Sequence, residues 1–213
     1  MHCRPRLSLS YLRPWPWLAG AIVAALAVSA APARASLIMA VDLPELVNRS
    51  SYVAVVDVVS MKSAWDAHHE QILTSVDLAV VETWKGTAPA GGHFRVVQPG
   101  GTVDDLSMVV HGMSQFQPGE RALVFLRGQP DHAAVVGMAQ GKRLVRLDGT
   151  TGKWMVHAPD RAGATFVKTS PAAAASPVFD TRLRTLDEVR TEIRNIVAAP
   201  AAAPATAPNG RTP

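Results

Sequence analysis

A mainly β domain, either a small barrel or a sandwich, is predicted for the middle of this chain. Three observations carry the prediction. Residues 52–61 form a Val-rich run, residues 72–85 alternate over an unusual length, and shorter β-branched runs follow, separated by Pro-Gly, Gln-Gly and Asp-Gly turns.

The domain is expected to open with a short helix. Asp42 is placed to cap it, Pro44 suits its first turn, and Glu45 stands three residues after the cap, so the helix should run to about Asn48. The run from Tyr52 to Met61 is too rich in Val for a strand wet on one side and predicts a central strand. From Ile72 to Lys85 the set Ile72, Thr74, Val76, Leu78, Val80, Glu82 and Trp84 is mainly apolar, while the alternate set is mixed. Alternation therefore puts Ile72, Val76, Leu78, Val80 and Trp84 on one inward face.

Strands are predicted next at Phe94–Gln98, Arg121–Arg127, Ala134–Met138, Arg143–Leu147 and Lys153–His157, with residues 100–112 left as a glycine-bearing loop. A terminal helix follows. Thr185 and Glu188 form a capping box, and Leu186, Val189, Ile193 and Val197 recur at helical spacing as a packing face.

The ends of the chain have a different character. Arg4, Arg6 and Arg13 precede an uncharged apolar run, Leu18–Val28, and Ala33-Arg34-Ala35 supplies small residues where a signal peptidase reads. Residues 1–35 therefore read as a secretory signal peptide cut between Ala35 and Ser36, and the chain as exported, periplasmic or extracellular. A membrane would be met only through an uncleaved signal segment, and the apolar run is short for a span. Four of the 21 Lys and Arg residues precede Ser36 and none of the 17 Asp and Glu does, so the mature chain is formally neutral. That balance argues against nucleic acid as a partner. The only cysteine, Cys3, leaves with the signal, so the mature domain must fold by burial without a disulfide. The expected organisation is a β-domain over 36–170, an Ala/Pro connector at 171–177, a helix region at 178–199 packing on the barrel, and an Ala/Pro-rich disordered tail at 200–213.

Tyr52 to Ser60 as a first strand, Thr74 to Trp84 closing in Trp84-Lys85-Gly86, and Gly119-Glu120-Arg121-Ala122-Leu123-Val124-Phe125-Leu126 together resemble the netrin-like modules of tissue inhibitors of metalloproteinases. The resemblance spans roughly Leu43 to Gly141. The chain also looks like a group of uncharacterised exported bacterial proteins with the same order of motifs. What this implies is an OB-like small β-barrel with a short N-terminal helix and a C-terminal amphipathic helix. The inhibitors begin their mature chain with a cysteine that chelates the protease zinc, whereas position 36 here is serine and the disulfides are missing. The resemblance therefore implies a fold and does not carry zinc-protease inhibition with it.

Catalytic patterns are weak. His68-His69-Glu70 puts two imidazoles on adjacent residues, which point apart, where a zinc-protease helix needs them four apart. Asp104-Asp105 with His111 lacks a nucleophile or a third ligand, and Ser107 and Ser114 lack the Gly-x-Ser-x-Gly context. No catalytic residue, cofactor or metal is expected. Lys142, Arg143 and Arg146 form a basic cluster read as a wet strand face. The candidate binding surface comprises Ser36, Trp65, His68, His69 and Trp154, since exposed Trp is a common interface anchor.

The expected function is a non-enzymatic exported binding module, protein-binding or protease-inhibitor-like, with an exported protein such as a protease as partner. The alternatives are a small exported hydrolase or metal-dependent enzyme using the 100–112 loop, and a glycan- or envelope-associated module. N-terminal sequencing of the exported protein should begin at Ser36; a membrane-bound chain that still starts at Met1 would refute the export reading.

Overall fold

The computed structural model describes residues 37–160, 165–167 and 182–199. The predicted signal and its Ala35–Ser36 cleavage site, the connector at 171–177 and the tail at 200–213 lie outside these residues. The order along the chain is β1 (Leu37–Met39), α1 (Leu43–Arg49), β2 (Tyr52–Trp65), β3 (Ile72–Lys85), β4 (His93–Pro99), β5 (Gly101–Val103), β6 (Leu106–Met108), β7 (Arg121–Gln129), β8 (His132–Val135), a 3-10 turn (Met138–Gly141), β9 (Lys142–Leu147), β10 (Trp154–Val156), β11 (Thr165–Val167), β12 (Arg184–Thr185) and α2 (Leu186–Ala198).

The fold is mainly β. One mixed sheet runs in the order β12-β10-β9-β7-β2-β3-β4-β8, and β8 pairs with β7 as well as with β4. Every contact in it is antiparallel except β4–β8, which is parallel through Val96 and Ala133. β1 pairs in parallel with β11, and β5 with β6 makes a separate hairpin.

The Val-rich run is central for the reason its composition implies. Val53 and Val55 enter one apolar cluster with Leu123, Phe125, Val145 and Val156. Ala54, Val56 and Val58 enter another with Val76, Leu78, Phe94, Val96, Ala122, Val124 and Leu126. Strands β2 and β7 are thus buried on both faces, which requires continuous rather than alternating apolar residues. The first cluster is closed by the helices, through Leu46 and Val47 of α1 and Leu186, Val189 and Ile193 of α2.

Both helix starts follow their sequence signals. Asp42 Oδ1 accepts a hydrogen bond from Glu45 N at 2.8 Å. The capping box is complete at Thr185, whose side chain accepts from Glu188 N while Glu188 accepts from Thr185 N. Gln140, 1% exposed, ties the entering chain to the 3-10 turn: its Oε1 accepts from Val41 N at 2.7 Å and its Nε2 donates to Met39 O and Gly137 O.

Several expectations need correction. Trp84 does not share the cluster of Val76 and Leu78; it lies in the helix-side cluster. The pairing explains this. Val55 faces Glu82 while Val56 faces Val80, so Val81 is extra; Ala54 faces Thr83 while Val53 faces Lys85, so Trp84 is extra. Each bulge breaks the parity on which alternation depends. Val197 is 43% exposed, and Ile196 packs against the core in its place. The strand expected at Ala134–Met138 is β8 at His132–Val135, followed by the 3-10 turn. The 100–112 loop contains the β5–β6 hairpin, whose two-residue tip is Asp104-Asp105, with Asp104 at φ 51°.

Trp84-Lys85-Gly86 docks both helices onto β3. The Arg190 guanidinium of α2 sits 5.6 Å from the Trp84 ring and bonds Glu82 at 2.6 Å, with Arg194 at 3.5 Å. Lys85 Nζ donates to Val47 O, a carbonyl at the end of α1 that also accepts from Ser50 N at 3.3 Å. Gly86, at φ +79°, admits no side chain, because a Cβ there would stand 2.5 Å from Ser51 O. Burial pushes the Glu82 carboxyl up, but the hydrogen bond from Arg190 and the charges of Arg190 and Arg194 outweigh it and hold the group below its ordinary value.

Leu78, fully buried, and Thr83, whose Oγ1 is buried without a hydrogen bond, test the description on a single strand. In denaturant melts Leu78→Ala should cost about 2–5 kcal/mol, while Thr83→Ala should stay within about 0.5 kcal/mol. Greater damage from Thr83→Ala would mean that the register is wrong.

Candidate functional site

The sheet face under α1 and α2 extends beyond what the helices cover. Asp57 stands two residues past Val55, Arg121 two before Leu123, Leu147 two past Val145 and Trp154 two before Val156. Each therefore shares the face of the helix-side cluster, and the register sets Asp57 opposite Arg121 and Leu147 opposite Trp154. None of the four belongs to that cluster. Leu147 is 55% exposed and Trp154 36% exposed.

These side chains wall an open groove of about 740 Å³, completed by the Gln117–Glu120 turn and by Arg146. Arg121 organises it. Its Nε donates to Asp57 Oδ1 at 2.7 Å and its Nη2 to Asp57 Oδ2 at 2.8 Å, a bidentate pair. The same guanidinium lies 4.5 Å from the centroid of the Trp154 ring. The hydrogen bond from Arg121 holds the Asp57 carboxyl below its ordinary value; partial burial opposes this and the guanidinium charge assists it.

A smaller cavity of about 290 Å³ adjoins the groove and shares Gln117, Glu120, Leu144 and Arg146 with it. Glu120 and Lys142 pair there at 2.6 Å, both largely buried, and Glu120 Oε1 also accepts from Gln117 N at 2.9 Å. Of the basic cluster, Lys142 is therefore committed to an ion pair, while Arg146 lines both cavities.

Of the residues singled out in the sequence, Trp154 is in the groove. Trp65, His68 and His69 are not among its lining residues. Trp65 ends β2 and stacks on His69, with ring centroids 6.0 Å apart and planes 17° apart, while His68 and His69 are exposed in the turn before β3. Asp66 shapes that turn by accepting from Glu70 N at 2.8 Å. Ser36 lies outside the described residues. Asp104 and Asp105 are exposed at the β5–β6 tip, and His111 is exposed in the loop beyond. Among the described residues, no three His, Cys, Asp or Glu side chains gather as a metal-holding group.

The residues not foreseen were Asp57, Arg121 and Leu147. The signal was present: Asp57 is the lone charge inside a Val-rich run, and Arg121 opens an apolar strand, so each needed a partner on a sheet face. Compared with protein-family models, with curated proteins and with solved structures, the chain matches none.

A carboxyl held below its ordinary value stabilises the fold above the unfolded pKa, and that contribution is lost as pH falls through the folded pKa. Asp57→Asn should therefore lower the melting temperature most near neutral pH, and the gap to the unmodified protein should close below about pH 4. A gap independent of pH would show that the ionised pair does not act as described.

Proposed function

We propose that this chain is an exported, non-enzymatic module that binds another protein through the Trp154 groove, on an OB-like barrel. The barrel reading draws support from the pairing: β2–β3, β3–β4, β4–β8, β8–β7 and β7–β2 form a cycle of five strands, with only β4–β8 parallel. The apolar cluster of Val56, Val76, Leu78, Phe94, Val96 and Val124 draws on four of those strands and would fill the barrel interior.

One observation carries the binding reading. Arg121 lies against Trp154 while two of its donors are fixed on Asp57, beside the exposed Leu147 and at the mouth of a groove. Trp and Arg are the side chains that most often dominate a protein interface. Here both are oriented before any partner arrives, so binding orders little that is not already ordered. An exported protein is the partner that the export reading implies, and a secreted or periplasmic protease is the class that the netrin-like resemblance adds.

The test is quantitative capture from the producing cell's exported fraction on immobilised protein, comparing Trp154→Ala with Trp65→Ala. Trp154→Ala should weaken retention of the captured partner about 30-fold, the loss of a hot-spot residue worth about 2 kcal/mol, and Trp65→Ala should retain it. Loss with Trp65→Ala alone would move the surface to the β2–β3 turn. No specific capture by the unmodified protein would overturn the binding-module reading.

A further inference from the structure

We propose that the cavity beneath the β5–β6 hairpin is a binding site for a soft monovalent metal ion, Cu(I), held by thioether sulfurs. The cavity measures about 230 Å³, and Met61, Met108 and Met113 all stand in its wall, with Thr74, Gln98 and Phe116. Three of the chain's seven methionines thus meet from three parts of the fold: β2, β6 and the loop after β6.

Core packing accounts for one of the three. Met61 borders the apolar cluster of Val76, Leu78 and Phe94, but Met108 and Met113 belong to neither cluster and are only half-buried. Methionines that line a cavity outside the core make thioether sulfur the donor chemistry available to an occupant. The donor set then selects the ion. The wall contains no carboxylate, imidazole or thiolate, so a hard divalent cation would find neither its preferred ligands nor charge compensation. Thioethers are soft and neutral and select Cu(I) among biological metals. Its single charge also makes burial beside neutral ligands less costly than for a divalent ion.

A second observation points to a polar or cationic occupant. Gln98 is 8% exposed, and its Nε2 is fixed by donating to Ser114 O at 2.8 Å, yet its buried Oε1 accepts no hydrogen bond. A buried acceptor without a partner, on a residue that lines the cavity, calls for an explanation.

The site is also braced. Thr74 Oγ1 donates to Gly100 O at 2.5 Å and lies 2.8 Å from Ser63 Oγ, which pins the base of the hairpin across β2 and β3. Gly101, at φ +130°, lets the backbone press against that pair; a Cβ there would fall 2.3 Å from both hydroxyl oxygens. The hairpin that carries Met108 is therefore fixed relative to the strand that carries Met61, the kind of support a metal site needs. No metal was expected from the sequence, because thioethers at 61, 108 and 113 have no ligand spacing to recognise.

The experiment is anaerobic titration of the purified protein into Cu(I) held as its coloured bicinchoninate complex, followed by loss of absorbance. One Cu(I) per chain should transfer. Met61→Leu, Met108→Leu and Met113→Leu keep the apolar volume and should each weaken transfer at least as much as loss of an outer-shell partner does, about 10–100-fold. Met39→Leu, at an exposed methionine outside the cavity, should leave transfer unchanged, and melting curves should confirm that each variant is folded. No transfer to the unmodified protein, or full transfer to a folded triple Leu variant, would overturn the proposal.

Discussion

Everything in this fold depends on two strands that must be dry on both sides. β2 and β7 pass through the middle of the sheet with Val53 to Val56 and Ala122 to Leu126 buried at 0–1% exposure. Each residue that turns toward the cluster of Val76, Leu78 and Phe94 is followed by one that turns toward the helices. Burying a Val, Leu or Phe side chain contributes about 1.5–3 kcal/mol, so neither cluster can be given up in a domain without a cysteine, the chain's only one being Cys3. The two-sided demand fixes the rest of the architecture. Neighbouring strands close one cluster, and α1 and α2 must close the other.

The helices reach their places because β3 changes sides. From Val76 to Val80 its inward residues serve the cluster of Val56, Phe94 and Val124; beyond the bulges at Val81 and Trp84 they serve the helix-side cluster and the ion pairs that hold α2. The bulged Val81 is left 47% exposed, a visible cost of the switch. This assigns Trp84-Lys85-Gly86 a structural meaning. The tryptophan meets Arg190, the lysine caps α1, and the glycine lets the chain turn against Ser51. A triplet with that role belongs to the way the helices dock on a strand of the sheet. Its presence informs on architecture and is silent on activity.

The same mechanism separates what was legible in the sequence from what was not. Strand density, both helix caps and the turn punctuation are local signals, and they located α1, β2, β3, β7, β9 and α2 within a few residues. Parity failed at Trp84 because a bulge is decided by a partner strand some thirty residues away, not by the run itself. The β5–β6 hairpin was missed because its strands are three residues each and its tip is Asp-Asp rather than Asn-Gly or Asp-Gly. Trp154 was visible as a candidate because of its chemistry. Its partners were not, since Arg121 is 64 positions from Asp57 and only strand pairing brings them together.

The Asp57–Arg121 pair also bears on why a groove exists at that end of the sheet. A partly exposed ion pair contributes little to stability, and an apolar pair at the same positions would have extended the helix-side cluster by another row. Charges there stop the apolar face short and leave Leu147 and Trp154 at its margin without a covering helix. Since the arrangement gains little in stability over the simpler apolar one, its distinctive consequence is geometric. The bidentate contact fixes the guanidinium plane, and the fixed guanidinium in turn fixes the ring beside it. That constraint at an open groove is what the proposed binding surface would need in order to meet a partner in one orientation.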